Sequence, residues 1–274
     1  MTDRVALIGK PLKRRHSVVM HNAAFAAAGI DARYELLEID ADAVPGAVTD
    51  AHRDDWLGLG VTAPYKRLVA GLLDEVEEDA RLIGAVNNVV RKPDGRLVGF
   101  NSDAPGFRAG AELAIGRPLT GLNVVVAGAG GAAHAVVHAL VNAGAWSVTI
   151  GNRTLPATIS DIAAVAFDSL EFEAALHMAD VAVNATTVGM LHPGMTIPVD
   201  ELRPDATVFD LVYVPFETPL LAAARARGLR AANGSEMLIA QAAIAFERWT
   251  GVADMADVMR EAVAPLFADT AAGA

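Results

Sequence analysis

The sequence contains no cysteine, which excludes disulfides, thiolate metal sites and cysteine nucleophiles. A chain without thiols suits a reducing cytoplasm, and a cytoplasmic location is expected. It also lacks any surplus of positive charge: the formal net charge is -11, which excludes a general affinity for nucleic acid or for an anionic membrane. Long uninterrupted apolar runs are missing too. The longest apolar region, 122–145, is broken by Asn123, His134, His138, Asn142 and several glycines, so it reads as strand, turn and helix rather than as a membrane span. The apolar stretch Val5-Ala-Leu-Ile8 has strand length only, too short for the core of a signal peptide. There is no internal repeat and no low-complexity linker.

What remains is an ordinary globular composition. Of 274 residues, 53% are hydrophobic and 20% charged, enough to bury one large core or two moderate ones. Apolar strand-like runs at 5–8, 34–39 and 57–61 alternate with helical stretches at 18–28 and 43–52, which predicts a mostly parallel sheet covered on both faces. A hairpin-like stretch follows at 85–90 and 97–100, around the turn Pro93-Asp-Gly95. Beyond Asp103 the alternation restarts, with strands at 123–127, 147–151, 181–184 and 207–210 and a helix running to about 142. Amphipathic helices are expected at 237–250 and 255–267, with 268–274 fraying. The economical organisation is two α/β units with boundaries near 104 and 233.

The strongest local signal is Gly128-x-Gly130-x-x-Ala133, directly after an apolar strand and opening a helix, the context a dinucleotide fingerprint demands. Gly128 permits the tight turn and Gly130 lets backbone approach a pyrophosphate. Ala133 allows close packing, and the helix N-terminus offers free N–H groups. An ordinary glycine turn is the alternative. NAD sites usually place an acid about 20 residues further on; here the next strand ends in Gly151-Asn-Arg-Thr154, with no acid before Asp161. Arg153 can pair with a 2′-phosphate, which favours NADP, although a solvated loop cation is the plainer reading. A second cluster, Thr62, Lys66, Asn87 and Asp103, falls at or just after strand ends, where open α/β sheets bind ligands. Lysine and aspartate together suit proton transfer, and equally a structural ion pair. The loop after the first strand is basic, with Lys10, Lys13, Arg14 and Arg15 between Gly9 and Ser17.

In order, Gly9-x-Pro11 with Ser17 and His21-Asn22, Val61-Thr-x-Pro-x-Lys66, Gly84-Ala-x-Asn87, Gly99-x-Asn101-x-Asp103-x-x-Gly106, Gly128-Ala-Gly-Gly-Ala132, Asn152-Arg-Thr154, Asn184-Ala-Thr-x-x-Gly-Met190, Asp210-x-Val-Tyr213-x-Pro215, Thr218-Pro-Leu-Leu221 and Gly234-x-x-Met237-Leu238 with Gln241 resemble the shikimate dehydrogenase family, including its quinate and dehydrogenase-like branches. The resemblance implies an α/β substrate-binding domain over 1–104, completed by C-terminal helices in 234–274, and a Rossmann-type NAD(P)-binding domain over 105–233, with the active site in the cleft between them. It implies reversible NADP-dependent oxidation of shikimate to 3-dehydroshikimate, a step of aromatic biosynthesis. Lys66 and Asp103 would be the catalytic pair. Arg15, Ser17, Thr62, Asn87, Tyr213 and Gln241 would bind a small anionic cyclic hydroxy acid. The cofactor would meet Gly128, Ala129, Gly130, Gly131, Ala132, Asn152, Arg153, Thr154, Thr186, Gly189, Met190, Val212, Gly234 and Met237. No metal is expected, and monomer and homodimer both stay open. A quinate- or aminoshikimate-type enzyme, with NAD as its other cofactor option, and a non-catalytic dinucleotide sensor are the alternatives.

The chain departs from the family pattern at several of these positions. Arg15 stands where the first of two carboxylate-binding serines is usual, and Ser17 is the second. Gly60 replaces an asparagine, and Asn88 and Ser102 each replace a threonine. Ala157 occupies a place where NADP users often carry a second cation.

Overall fold

The computed structural model describes residues 2–271. The chain divides into two compact units, one running to Ser102 and taking in Gln241–Pro265, the other Asp103–Ala240 with the residues from Leu266.

In the first unit the elements are β1 (Asp3–Gly9), α1 (His16–Ala27), β2 (Ala32–Glu38), α2 (Val44–Asp50), β3 (Trp56–Val61), α3 (Lys66–Ala70), β4 (Glu75–Val76), α4 (Glu78–Ile83), β5 (Asn88–Arg91) and β6 (Leu97–Phe100). They form one sheet in the order β2-β1-β3-β5-β6-β4. β1 pairs in parallel with β2 and β3, whereas β5 runs antiparallel to both β3 and β6. The sheet is therefore more mixed than alternation alone predicts, because the short turn at Pro93-Asp-Gly95 can join only antiparallel neighbours. α1 begins at His16 rather than at 18.

One face of this sheet buries Ala6, Ile8, Leu59, Val61 and Val89 against Val44, Val48 and Val69. Alternation along β3 turns Gly58 and Gly60 to the other face. There Tyr34, His21, Phe25, Phe246 and Trp249 form an aromatic slab, with His21 stacked on Tyr34 at 4.4 Å and Phe25 tilted against Phe246 at 5.0 Å. The glycines make room for it. A Cβ at Gly60 would sit 2.5 Å from the Tyr34 hydroxyl, and one at Gly58 would sit 2.7 Å from Trp249 Nε1. The indole N–H donates to Val89 O at 2.9 Å.

The second unit contains α5 (Asp103–Ile115), β7 (Asn123–Ala127), α6 (Gly131–Asn142), β8 (Ser147–Asn152), the small strands β9 (Thr158–Ile159), β10 (Ile162–Ala163) and β11 (Val165–Ala166), then α7 (Leu170–Met178), β12 (Val181–Asn184), β13 (Thr207–Asp210), α8 (Pro219–Ala226) and β14 (Arg230–Asn233). Its main sheet has the order β11-β8-β7-β12-β13-β14, with every pairing parallel. Such strands are covered on both faces, which is why they read as near-continuous apolar runs. The order reverses at β7, between β8 and β12, and that switch point is where doubly wound sheets open a ligand crevice.

α9 (Ser235–Thr250) and α10 (Ala256–Ala271) complete the chain. α10 extends as helix through 268–271, where Ala-Asp-Thr-Ala carries no stop signal and alanine favours helix. Positions 272–274 lie outside the described residues. Among the described residues, no helix is long and apolar enough to cross a membrane.

Candidate active site

In the first unit, the predicted ligands Asn87 and Gln241 meet in one buried polar cluster with two residues that sequence reasoning marked only as departures, Asn88 and Ser102. Asn87 Oδ1 accepts from the Ser102 backbone N–H at 2.8 Å and from Asn88 Nδ2 at 2.9 Å. Ser102 Oγ accepts from Asn87 Nδ2 at 3.1 Å and from Asn88 Nδ2 at 2.8 Å, and lies 3.2 Å from Gln241 Oε1. Asn87, Asn88, Asn101 and Ser102 are all buried, and Asn101 Nδ2 donates to Ala85 O at 2.9 Å. Buried amides are stable only when so satisfied.

Thr62 follows β3, its N–H bonded to Ile8 O at 2.9 Å. Its side chain is half-buried beside Gly9, where a Cβ would meet Thr62 Cγ2 at 2.4 Å. Lys66 opens α3 half-buried, and its carbonyl accepts from Val86 N at 3.0 Å. Asp103 is half-buried at the start of α5, directly after Ser102, and belongs to the second unit as Lys66 belongs to the first.

The basic loop is held by acids at the end of β2. Lys10 Nζ lies 2.5 Å from Asp40 Oδ1, and Leu12 N donates to Glu38 Oε2 at 2.6 Å. The Asp40 carboxylate holds the Lys10 ammonium above its usual pKa. Arg15 is exposed at the N-cap of α1, while Ser17 in its first turn is half-buried.

In the second unit, two loops meet at the switch point. Gly128 has φ +107°, and a Cβ there would sit 2.8 Å from Thr186 Cγ2. Gly130 and Gly131 face open space, since a Cβ at either meets nothing within 4 Å, and α6 begins at Gly131 with no side chain capping it. Uncapped amides facing free volume suit a pyrophosphate, so the turn fits a dinucleotide. The turn after β8 is shaped by Asn152 Nδ2 donating to Thr154 O at 2.8 Å, with Arg153 exposed.

The loop through Thr186, Gly189 and Met190 is anchored by a buried network that sequence reasoning missed. Asn184 Oδ1 accepts from Thr186 N and Thr186 Oγ1 at 3.1 and 2.7 Å, while its Nδ2 donates to Asp210 Oδ1 at 2.8 Å. Asp210 Oδ1 also accepts from Val212 N at 3.0 Å, and Oδ2 from Thr218 Oγ1 at 2.6 Å. Burial pushes the Asp210 carboxyl up, against the bonds from Thr218, Val212 and Asn184. An acid closing the apolar strand Thr207-Val-Phe-Asp210 was the available signal. Gly234 fits tightly, since a Cβ would sit 2.2 Å from Leu211 O, and Met237 packs its backbone 2.8 Å from where a Gly110 Cβ would be. Tyr213 is half-buried, its ring 6.2 Å from that of Phe267.

A parallel sheet with an open glycine turn at its switch point, in one chain with a unit that holds a buried polar cluster, defines a dinucleotide-binding α/β protein. Models of the shikimate dehydrogenase substrate binding domain and of the shikimate 5'-dehydrogenase C-terminal domain match residues 7–89 and 234–264. The shikimate dehydrogenase (NADP(+)) of Geobacillus kaustophilus is 40% identical over 89% of this chain and 91% of its own. The shikimate 5-dehydrogenase of Thermus thermophilus, solved with NADP(H) and shikimate, superposes with a TM-score of 0.84 at 36% identity, covering 96% of this chain and 99% of that one. The quinate dehydrogenase of Corynebacterium glutamicum, solved with NAD, gives 0.88 at 33% identity, covering 96% and 99%. The chain belongs to the shikimate dehydrogenase family.

Proposed function

We propose that this chain is an NADP-dependent shikimate dehydrogenase, interconverting shikimate and 3-dehydroshikimate in the cytoplasm. The observation that carries the reading is the buried Asn87–Ser102–Gln241 cluster, in a chain 40% identical to a relative named as NADP-dependent shikimate dehydrogenase. Residues 1–104 with 234–274 form the substrate-binding domain and 105–233 the cofactor-binding domain, with Tyr213 reaching the substrate from the latter and Gly234 and Met237 reaching the nucleotide from the former. Bound NADP supplies the hydride acceptor. Lys66 takes the proton of the hydroxyl being oxidised and Asp103 orients it. Asn87, Thr62, Gln241 and Tyr213 engage the ring oxygens, with Ser17 and Arg15 toward the carboxylate. The Gly128–Ala132 turn and the α6 N-terminus receive the pyrophosphate, Asn152, Arg153 and Thr154 the 2′-phosphate, and Thr186, Gly189, Met190, Val212, Gly234 and Met237 the rest of the nucleotide.

The test is a two-by-two panel of kcat/KM for shikimate and quinate, each with NADP and NAD. Shikimate with NADP is expected to exceed the other three combinations. The likeness to an NAD-bound quinate dehydrogenase favours a second reading, which a maximum at quinate with NAD would establish. Tight NADP binding without turnover of either acid would leave a non-catalytic dinucleotide binder.

A further inference from the structure

We propose that Asn88 and Ser102 are positioning residues. They fix the amide orientation of Asn87 and Gln241, so that Asn87 meets the substrate as an N–H donor and engages only oxygens with a free lone pair. The proposal rests on the shikimate reading above and names how that substrate is held.

The orientation follows from one main-chain group. A backbone N–H can only donate, and that of Ser102 points at the Asn87 side chain from 2.8 Å. The atom it meets is therefore the amide oxygen. Asn88 Nδ2, 2.9 Å away, supplies the second donor to that oxygen, and both of its lone pairs are then engaged. Asn87 is left with its nitrogen, which spends one hydrogen on Ser102 Oγ at 3.1 Å. Asn88 Nδ2 gives its other hydrogen to the same Oγ at 2.8 Å. With both lone pairs occupied, the Ser102 hydroxyl has only its proton to offer, and Gln241 Oε1 is 3.2 Å away to receive it. Gln241 is thereby turned with its oxygen toward Ser102.

Asn87, Asn88 and Ser102 are 5%, 4% and 0% exposed, so no bulk water competes for the bonds. A reversed amide would set donor against donor in a buried place, which is costly. A ring hydroxyl engaged by Asn87 accepts there and keeps its own proton for another partner. That is the state required of a hydroxyl whose proton leaves during oxidation. Ser102 and Asn88 act on it only through Asn87 and Gln241.

The test compares wild type with Ser102→Ala, Ser102→Thr and Asn88→Asp, using shikimate and analogues each lacking one ring hydroxyl. In wild type at least one analogue is expected to lose about tenfold or more in kcat/KM, the worth of one or two hydrogen bonds. Ser102→Ala and Asn88→Asp are expected to raise KM for shikimate about tenfold, with kcat within about threefold and KM for NADP unchanged. They should also flatten the penalty on the sensitive analogue to below about threefold, because the contact it reports is already lost. Ser102→Thr keeps the hydroxyl and should restore both. A wild-type KM in Ser102→Ala, or an undiminished analogue penalty beside a uniform loss, overturns the positioning role. Should Ser102→Ala not fold, Asn88→Asp reads the same two quantities. A wild-type protein that neither binds nor oxidises shikimate fails the functional reading itself, and this proposal with it.

Discussion

Lys66 sits where two tertiary constraints meet. Its backbone carbonyl is held by Val86 N, and the hydroxyl of the preceding Tyr65 donates to Ile39 O at 2.7 Å, so the half-buried residue that opens α3 is fixed at its base. Lys66→Ala should lower kcat by about 100- to 10,000-fold, the usual worth of a positioned acid–base group, and move KM for shikimate by less than about threefold. Steady-state kinetics at saturating NADP check this, and near-wild-type turnover would remove Lys66 from the chemistry. Lys66, Asp103 and Asn87 are named by short motifs at or just after strand ends, so as candidates they are legible in the sequence. Asn88 and Ser102 were visible only as unusual residues. Their role needs a partner, Gln241, that lies 139 positions from Ser102, and no local pattern reports such a distance. The basic loop was legible as a charge cluster but not in its pairing. Lys10 is held by Asp40, and Arg15 stands exposed.

At the scale of elements, β3 shows how a weak-looking strand is made necessary by its neighbours. Gly58-Leu-Gly-Val61 alternates large side chains toward one core with bare backbone beneath the aromatic slab. Gly60→Ala would press a methyl group to 2.5 Å from the Tyr34 hydroxyl and 3.1 Å from Leu7 Cδ1, an overpacking cost of about 1–3 kcal/mol. In a Tyr34→Phe background the nearest ring atom lies at 3.5 Å, and the same substitution should cost less than about 1 kcal/mol. Urea denaturation of the four proteins measures the difference, and equal costs in both backgrounds would mean that the hydroxyl is not the obstacle. The parallel strands of the second unit were readable as apolar runs. α7 and α8 were not assigned, although their caps are written in the sequence: Ser169 Oγ accepts from Phe172 N, and Thr218 Oγ1 accepts from Leu221 N ahead of Pro219 at the first helical turn. β4 and the small strands β9 to β11 have only two residues each, and pairing with neighbours, not composition, makes them strands.

At the scale of the whole molecule, acid stability is set by groups the fold keeps neutral. His21 is buried in the aromatic slab, its Nδ1 without a hydrogen-bond partner, and burial pushes its pKa down to about 3. In the unfolded chain the same imidazole titrates near 6.5. Above that pH both states are neutral and the group contributes no slope. Between 6.5 and 3 the unfolded chain binds a proton that the native state refuses, so stability falls with acidification by up to about 1.4 kcal/mol per pH unit. His16, also lowered by burial and by the nearby Arg14, adds to the same trend. Asp210 works in the opposite sense. Its carboxyl is raised in the native state, so between 3.8 and that raised value the native form holds a proton the unfolded chain has released, and stability declines as pH rises through the window. The two trends oppose each other wherever their windows overlap, and above the raised Asp210 value the histidine term alone sets the slope up to pH 6.5. His21→Phe keeps a ring against Tyr34 and cannot take a proton. Its urea midpoints, followed by near-UV circular dichroism from pH 4 to 8, should run parallel to wild type above pH 7 and fall more slowly below 6.5. Parallel curves over the whole range would mean that His21 is not the group that makes the fold acid-sensitive.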